Sequence, residues 1–372
     1  MSSRVSAPEL ARYFLRLGAT AFGGPAAHIA LMEEDLVRRR RWLEREEFLE
    51  LLGAANLLPG PTSTELAMLA GGRLGGGSGL VVAGTCFAAP AVLLSGALGA
   101  AYVRWGELPV TAALAAGIAP VVVAVLAHSL FALARTALRS PPAWAVALTS
   151  GAVSALGGHP LLVLAIAGAL MLLLRARAVA GGARALIVPL AAASVGAASP
   201  VGLFAIFAAF LPVGALLYGS GYALLAFLRA DFVTHLGWLT ERQLLDAVTA
   251  GQLTPGPVFA TATFIGFVLR GAPGAAAATV GIFLPSFLLA WASGPLLARV
   301  RGSAHARLFL EGASVASIAL LAVVTAQLAR PALTGFATVG AFAVALALLS
   351  LARWPAWWVL AGGVLFGVAR AL

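Results

Sequence analysis

The sequence predicts an all-α polytopic membrane protein made of two homologous helical repeats. Of its 372 residues, 61% are hydrophobic and only 10% are charged, whereas soluble proteins average roughly 25% charged residues. The mean hydropathy of +0.98 comes from apolar runs spread along almost the whole chain. A soluble globule is therefore excluded, and the length accommodates on the order of ten to fifteen membrane crossings.

The basic residues are interpreted as determinants of membrane topology. A net charge of +10 would suggest nucleic acid as the partner of a soluble chain, but here the arginines lie singly or in short loops between apolar runs. Such residues orient a membrane protein and contact lipid headgroups. The chain has one cysteine, Cys86, and its five histidines lack metal-ligand spacing. We predict no metal and no cofactor.

The chain repeats itself. At an offset of 196 residues, Trp42-Leu43 aligns with Trp238-Leu239, and the tripeptide Pro59-Gly60-Pro61 aligns with Pro255-Gly256-Pro257. After a one-residue gap the offset is 195, and Pro90 then aligns with Pro285. Matches of these residue types at one offset indicate a duplication rather than biased composition.

The duplication predicts three regions. We expect an N-terminal membrane repeat at 1–175, a linker at 176–196 and a C-terminal membrane repeat at 197–372. The linker carries one transmembrane segment, formed by the apolar run 185–198. If each repeat crosses the membrane an even number of times, the single connector inverts the second copy, as in many secondary transporters. Counting the arginines of cytoplasmic loops does not decide between an inverted and a parallel second half, so inversion rests on the architecture.

Both Pro-Gly-Pro tripeptides interrupt apolar stretches, 47–72 and 243–269. Proline lacks an N–H group and clashes with the preceding turn, so a helix cannot continue through it. The two stretches are therefore predicted to be re-entrant or broken helices.

A helix that restarts in the membrane is a candidate anion site, because its first N–H groups are unpaired and its dipole is positive there. Nearby hydroxyl and amide groups would add donors that hold an oxyanion and release it again. The alternative is that each tripeptide only kinks a packing helix and the hydroxyls bond back to the preceding turn. The candidate binding residues are Asn56, Pro59, Gly60, Pro61, Thr62, Ser63 and Thr64 in the first repeat, Gln252, Thr254, Pro255, Gly256, Pro257 and Thr261 in the second, and Gly23, Gly24, Pro25 and His28 near the start of the chain.

Glu65 lies in an otherwise apolar run and is a candidate for proton coupling, because ionising a carboxyl group inside the membrane is costly. The hypothesis is that it takes up a proton from one side and releases it to the other. The alternative is an ion pair with Arg73, two helical turns along. Arg73 and Arg270 could also attract a dianion, although interface snorkelling is the favoured explanation for them.

These motifs carry a family resemblance. Phe22-Gly23-Gly24-Pro25 with His28, the segment Asn56 to Ala67, and the segment Gly251 to Gly266 are similar to the chromate ion transporter family, in its long form with two fused halves. The resemblance runs essentially end to end. It implies export of chromate, a tetrahedral dianion similar to sulfate, from the bacterial cytoplasm through the inner membrane, driven by the proton-motive force. One departure is Leu224 at the position equivalent to His28, so His28 is not a symmetric ligand.

Three classes of function compete. The leading one is a secondary transporter that exports chromate or a related oxyanion; its partners are the anion, protons and the lipid bilayer, and a homodimer is compatible with it. The second is a passive anion channel, or a transporter for another small oxyanion such as sulfate. The third, a membrane enzyme, is disfavoured because the sequence has no nucleotide-binding loop and no cluster of His and carboxylate ligands.

Overall fold

The protein is helical throughout the part that the computed structural model describes, which comprises residues 5–22, 24–106, 109–175, 201–217, 224–293 and 303–371. These ranges contain fourteen α-helices, numbered in chain order. In the first half they are α1 Ala7–Thr20, α2 Gly24–Met32, α3 Arg45–Ala55, α4 Thr62–Trp105, α5 Pro109–Ala137, α6 Pro141–Ala155 and α7 Pro160–Arg175. In the second half they are α8 Leu203–Leu216, α9 Leu224–Leu228, α10 Glu241–Leu253, α11 Thr261–Trp291, α12 Ala304–Ala332, α13 Phe336–Ser350 and α14 Ala356–Ala371.

The elements occur in the same order in both halves. A π-helical turn extends α2 at Glu33–Arg39 and α9 at Arg229–His235, and the chain then enters α3 or α10. Helix α10 begins with a capping box of Thr240 and Gln243, and α3 begins with the corresponding bond in which the Glu44 N–H donates to the Glu47 carboxylate. Equivalent sequences therefore form equivalent elements. Whether the second half is inverted stays a prediction.

The chain is not helical at either Pro-Gly-Pro tripeptide. Helix α3 ends at Ala55 and α4 begins at Thr62, while α10 ends at Leu253 and α11 begins at Thr261 after a short 3-10 turn. Pro61 and Pro257 are extended, with φ of -77° and -73°. Proline holds φ near these values and pre-sets the geometry of a helix start.

Helices α4 and α11 each fold back on themselves. Gly76 in α4 has φ 69°, and Gly271 in α11 has φ 62°, a backbone conformation that glycine adopts without strain. The arms of α4 then pack closely, with Gly71 against the backbone of Gly79 and Met68 against Gly84. In α11 the equivalent approach is between Gly266 and Gly274. Each Pro-Gly-Pro thus leads into a short helical arm that folds back into a longer helix, and whether this arm is re-entrant in the membrane stays a prediction.

The two halves interlock. The folded-back helices α4 and α11 pack against each other, while α1 packs on α4 and α8 packs on α11. The terminal hairpin of each half packs on the other half: α6 and α7 contact α12, and α13 and α14 contact α5. The predicted boundaries at 175 and 197 stay predictions, and the predicted linker segment lies outside the described residues.

This is a multi-pass membrane protein. Four helical segments in the described ranges are long and apolar enough to cross a bilayer: Thr62–Trp105, Ala116–Ala137, Val258–Trp291 and Ala304–Ala332. Shorter apolar helices such as Phe336–Ser350 accompany them. Large apolar side chains also lie on the outer surface, with Leu93 73% and Phe204 78% exposed. Lipid tails solvate such side chains, whereas in water this surface would aggregate.

The close contact inside α4 predicts a stability difference between two glycines. A methyl group at Gly71 would collide with the backbone of Gly79, which cannot move without opening the hairpin. We expect Gly71→Ala to lower the stability by about 1–3 kcal/mol, the usual cost of overpacking. Gly340→Ala is the matched control, since open space surrounds Gly340 in helix α13. It should be neutral or stabilising. Thermal unfolding of the detergent-solubilised protein measures both, and equal melting temperatures would contradict the packing described here.

Candidate functional site

The Pro-Gly-Pro turn of each half donates a backbone hydrogen bond to the other half, so the two bonds form a reciprocal pair. The Gly60 N–H donates to the carbonyl oxygen of Leu217 at 2.8 Å, and the Gly256 N–H donates to the carbonyl oxygen of Ala21 at 3.0 Å. Gly60 and Gly256 are 196 residues apart, as are Ala21 and Leu217. Each turn is therefore held by the end of the first helix of the other half. Below, the turn at Gly60 is called the first crossing and the turn at Gly256 the second crossing.

Glycine is required at both turns. Gly60 has φ 137° and Gly256 has φ 89°, both in the region that L side chains rarely adopt. A side chain at Gly60 would also collide with the carboxyl group of Glu65 and the hydroxyl of Ser286. At Gly256 it would press on Ala91 and on the backbone of Gly18. The missing side chains let the turns approach the opposite helices.

His28 supports the second crossing from the first half. Its Nε2 lies 3.1 Å from the Ala21 carbonyl oxygen, and its Nδ1 lies 3.1 Å from the Ser63 hydroxyl. Because a carbonyl only accepts, Nε2 carries the hydrogen, and in the neutral ring Nδ1 accepts from Ser63. The ring packs edge-on against Phe87, with centroids 5.5 Å apart. The Ala21 oxygen thus receives both the His28 ring and the Gly256 amide.

At the equivalent described positions, the second half has apolar residues instead. Leu224 stands where His28 does, Phe259 stands where Ser63 does, and both are fully buried. The hydrogen bonds of His28 in the first half are therefore replaced by apolar packing in the second.

Glu65 lies at the first crossing, where the described residues offer its carboxyl group no hydrogen-bond partner. Its side chain is 0% exposed, and neither carboxyl oxygen has a hydrogen-bond partner within the described chain. The alternative of an ion pair with Arg73 is wrong, because Arg73 pairs instead with Glu47 of α3. The hydrogen bond from the Glu44 backbone N–H, and to a smaller extent the ion pair with Arg73, hold the pKa of Glu47 below its usual value. Arg270 is likewise engaged elsewhere, donating to the Val201 carbonyl at 2.9 Å.

Ser286 is a site residue that the sequence alone did not single out. It is 0% exposed, and its hydroxyl has no partner among the residues described. It faces the same space beside Gly60 as the Glu65 carboxyl group. The sequence does show that Ser286 follows Pro285 where the first repeat has Ala91 after Pro90, and this polar replacement at an aligned position could have identified it.

At the second crossing, two predicted binding residues have polar atoms without partners. Thr261 is 0% exposed, its hydroxyl lies against Gly251, and it has no hydrogen-bond partner in the described ranges. The buried Nε2 of Gln252 also has none there. Buried polar atoms are rarely left unpaired, so such atoms mark places where a ligand can bind.

The remaining predicted residues are differently engaged. The Thr254 hydroxyl donates to the Gly251 carbonyl at 3.0 Å, and the Thr263 hydroxyl bonds to that of Thr279 at 2.7 Å. Thr64 is fully buried with an unpartnered hydroxyl, Thr62 is half-buried, and Asn56 is exposed at the end of α3. Gly24 and Pro25 open helix α2, and Gly23 lies outside the described residues. The structure thus gathers only part of the predicted set around the two crossings.

Comparison with known proteins identifies the family. The sequence pattern of chromate transporters matches residues 8–173 and again residues 204–368. The chain belongs to the chromate transporter family. It is therefore a member of a transport family rather than an enzyme family.

Full-length relatives are similar throughout. The chain is 33% identical over 339 residues to a probable chromate transport protein of Synechococcus elongatus, covering 88% of this chain and 86% of the relative. It is 31% identical over 354 residues to the chromate transport protein of Cupriavidus metallidurans, covering 92% and 87%. A chromate transport protein of Pseudomonas aeruginosa is 33% identical over 348 residues, covering 88% and 82%. No solved structure matches the chain.

The geometry at Gly60 predicts the effect of its substitution. We expect Gly60→Ala to combine backbone strain of about 1–3 kcal/mol with a collision at Glu65 and Ser286. Gly76→Ala, the control, adds only the strain, because nothing lies within contact distance of Gly76. Folded yield and melting temperature should therefore fall further for Gly60→Ala. A larger loss for Gly76→Ala would contradict this account of the first crossing.

Proposed function

We propose that the protein exports chromate, or a closely related tetrahedral oxyanion, from the cytoplasm across the bacterial inner membrane, using the proton-motive force. Membership of the chromate transporter family and the names of three full-length relatives support the substrate class. The observation that carries the mechanism is the pair of crossings, where unpartnered buried donors and a buried carboxyl group lie at the starts of broken helices.

The crossings are suited to an anion that must bind and leave. Hydroxyl and amide donors satisfy the oxygens of a tetrahedral oxyanion without a fixed buried positive charge, which would hold it too tightly. The starts of the re-entrant arms of α4 and α11 add the positive ends of two helix dipoles. Binding sites of this kind near the bilayer midplane are typical of transporters with inverted repeats.

The reciprocal hydrogen bonds support a pseudo-twofold relation between the halves, a relation that the proposed inverted arrangement requires. Gly60 bonds to the helix end of the second half, and Gly256 bonds to the equivalent helix end of the first. Exchanging the halves therefore exchanges the two bonds, which is the relation that a pseudo-twofold axis produces. Rocking of one half against the other around these crossings would open the site alternately to each side.

Glu65 is the proposed proton carrier. A carboxylate without a partner is costly in a buried apolar setting, so the group is expected to change protonation when the crossing opens to water. Proton uptake from the outside and release to the cytoplasm would then drive anion exit.

Transport into inverted membrane vesicles tests the proposed function. We expect labelled chromate to accumulate above its external concentration when the vesicle interior is acidified, and a protonophore to abolish the accumulation. Vesicles from cells without the protein are the control. Equilibration without accumulation would favour a passive channel, and competition by excess sulfate with equal potency would broaden the substrate to sulfate.

A substitution at Glu65 tests the coupling. Glu65→Gln keeps the size and hydrogen-bonding capacity of the side chain but cannot carry a proton. Because the variant carries no proton, we expect it to lose gradient-driven accumulation by about tenfold or more, while chromate still equilibrates down its gradient. A tenfold loss corresponds to about 1.4 kcal/mol of driving force. Arg73→Gln, outside the crossing and paired with Glu47, is the control and should accumulate chromate normally. Full accumulation by Glu65→Gln would exclude Glu65 as the carrier.

A further inference from the structure

The two crossings present different chemistry at equivalent positions. Glu65 of the first repeat corresponds to Thr261 of the second, and Ser286 beside the first crossing corresponds to Ala91 beside the second. The first crossing therefore carries an acid and the second carries a neutral hydroxyl. The Thr261 hydroxyl lies against Gly251, on the helix that enters the second crossing. A duplicated site whose equivalent residues differ in this way can perform two tasks rather than one task twice.

The second crossing offers donors. The Thr261 hydroxyl and the Gln252 amide nitrogen are both buried, and the described chain supplies neither with an acceptor. An oxyanion carries only acceptors, so it complements these two groups. The hydroxyls of Thr254 and Thr263, which lie in the same region of the sequence, are already satisfied within the protein.

The first crossing offers an acid whose carboxyl oxygens have no hydrogen-bond partner among the described residues. On the helices packed against α4, Glu47 pairs with Arg73, Glu9 pairs with Arg40, Arg270 donates to Val201, and Asp246 accepts from Tyr102. The other titratable groups on these helices are Arg12, Tyr13 and Arg16 on α1, His28 on α2, Arg45, Glu46 and Glu50 on α3, and Glu241 and Arg242 on α10. Glu65 shares its space with the neutral hydroxyl of Ser286. A second negative charge in that space would be repelled whenever Glu65 is ionised.

We propose that the two crossings divide the work, with the oxyanion bound at the second crossing by Thr261 and Gln252 and the proton carried at the first crossing by Glu65. This inference rests on the proposed oxyanion transport. The surroundings of the two turns are distinct, since Gly60 faces Glu65 and Ser286 whereas Gly256 faces Ala91 and the backbone of Gly18. Separation lets each ligand bind without electrostatic competition from the other.

The reciprocal hydrogen bonds link the two tasks. The first crossing is bonded to Leu217 of the second half, and the second crossing is bonded to Ala21 of the first. When one turn moves, the helix end to which it is bonded moves with it. That helix end belongs to the half that carries the other turn. Coupling between proton and anion then comes from the movement of the halves rather than from direct contact.

Equilibrium binding separates this arrangement from a shared site. We would measure chromate binding to the full-length protein in lipid nanodiscs by calorimetry, at mildly alkaline pH where chromate is the dianion. Thr261→Ala should raise the Kd by about tenfold or more, the effect of losing a hydrogen bond to a charged ligand. Glu65→Gln should leave the Kd within about twofold of the wild-type value, although it abolishes gradient-driven accumulation.

Further variants guard against misfolding. Thr261→Ser keeps the hydroxyl and should bind chromate with nearly the wild-type Kd. Gln252→Glu is nearly the same size as the wild-type side chain but should abolish binding, because its negative charge repels the anion. Thr325→Ala removes another buried hydroxyl without a described partner, on α12, and should bind chromate normally.

The outcomes are distinct. An unchanged Kd in Thr261→Ala and Gln252→Glu overturns the assignment of the anion. An equal loss of affinity in Glu65→Gln and Thr261→Ala indicates one shared site and overturns the division. If the wild-type protein itself binds no chromate and no sulfate, the proposed function fails and the inference fails with it.

Discussion

The hydrogen bonds of Gly60 to Leu217 and of Gly256 to Ala21 are the interaction on which the arrangement of the halves depends. A broken helix leaves backbone donors that must find partners inside the membrane, where no lipid group can accept them. Here the partners are the last carbonyls of α1 and α8, which belong to the opposite halves. The breaks therefore tie the two repeats together, and the glycines with positive φ make this approach sterically feasible.

The same constraint explains why the crossings are suited to transport. The terminal hairpin of each half packs on the other half, as α6 and α7 do on α12. The folded-back helices α4 and α11 contact each other between them. Polar atoms buried at these central helices, including those of Glu65, Ser286 and Thr261, are enclosed but unpaired within the described chain. A soluble protein would hydrate such groups at its surface. In the proposed transport mechanism, these groups bind the ligands.

The duplication is structurally regular but chemically uneven. Backbone elements recur in the same order, down to the π-helical turns after α2 and α9. The side chains diverge where they meet the crossings, with His28 and Ser63 in one half and Leu224 and Phe259 in the other. Backbone geometry is set by proline and glycine, which both copies retain, whereas side chains at the site are free to specialise.

Composition alone was enough to show that the chain spans the membrane, and local pattern predicted two copies of one unit with a helix break at each Pro-Gly-Pro. These follow from short-range physics, because hydropathy and the missing proline N–H act within a few residues. Which polar groups lack partners within the described ranges depends instead on the tertiary structure. Ser63 and Thr254 find partners, Arg73 pairs with Glu47 rather than with Glu65, and Ser286 joins Glu65 from 221 positions away. Such pairings depend on how distant helices pack, which no local pattern encodes.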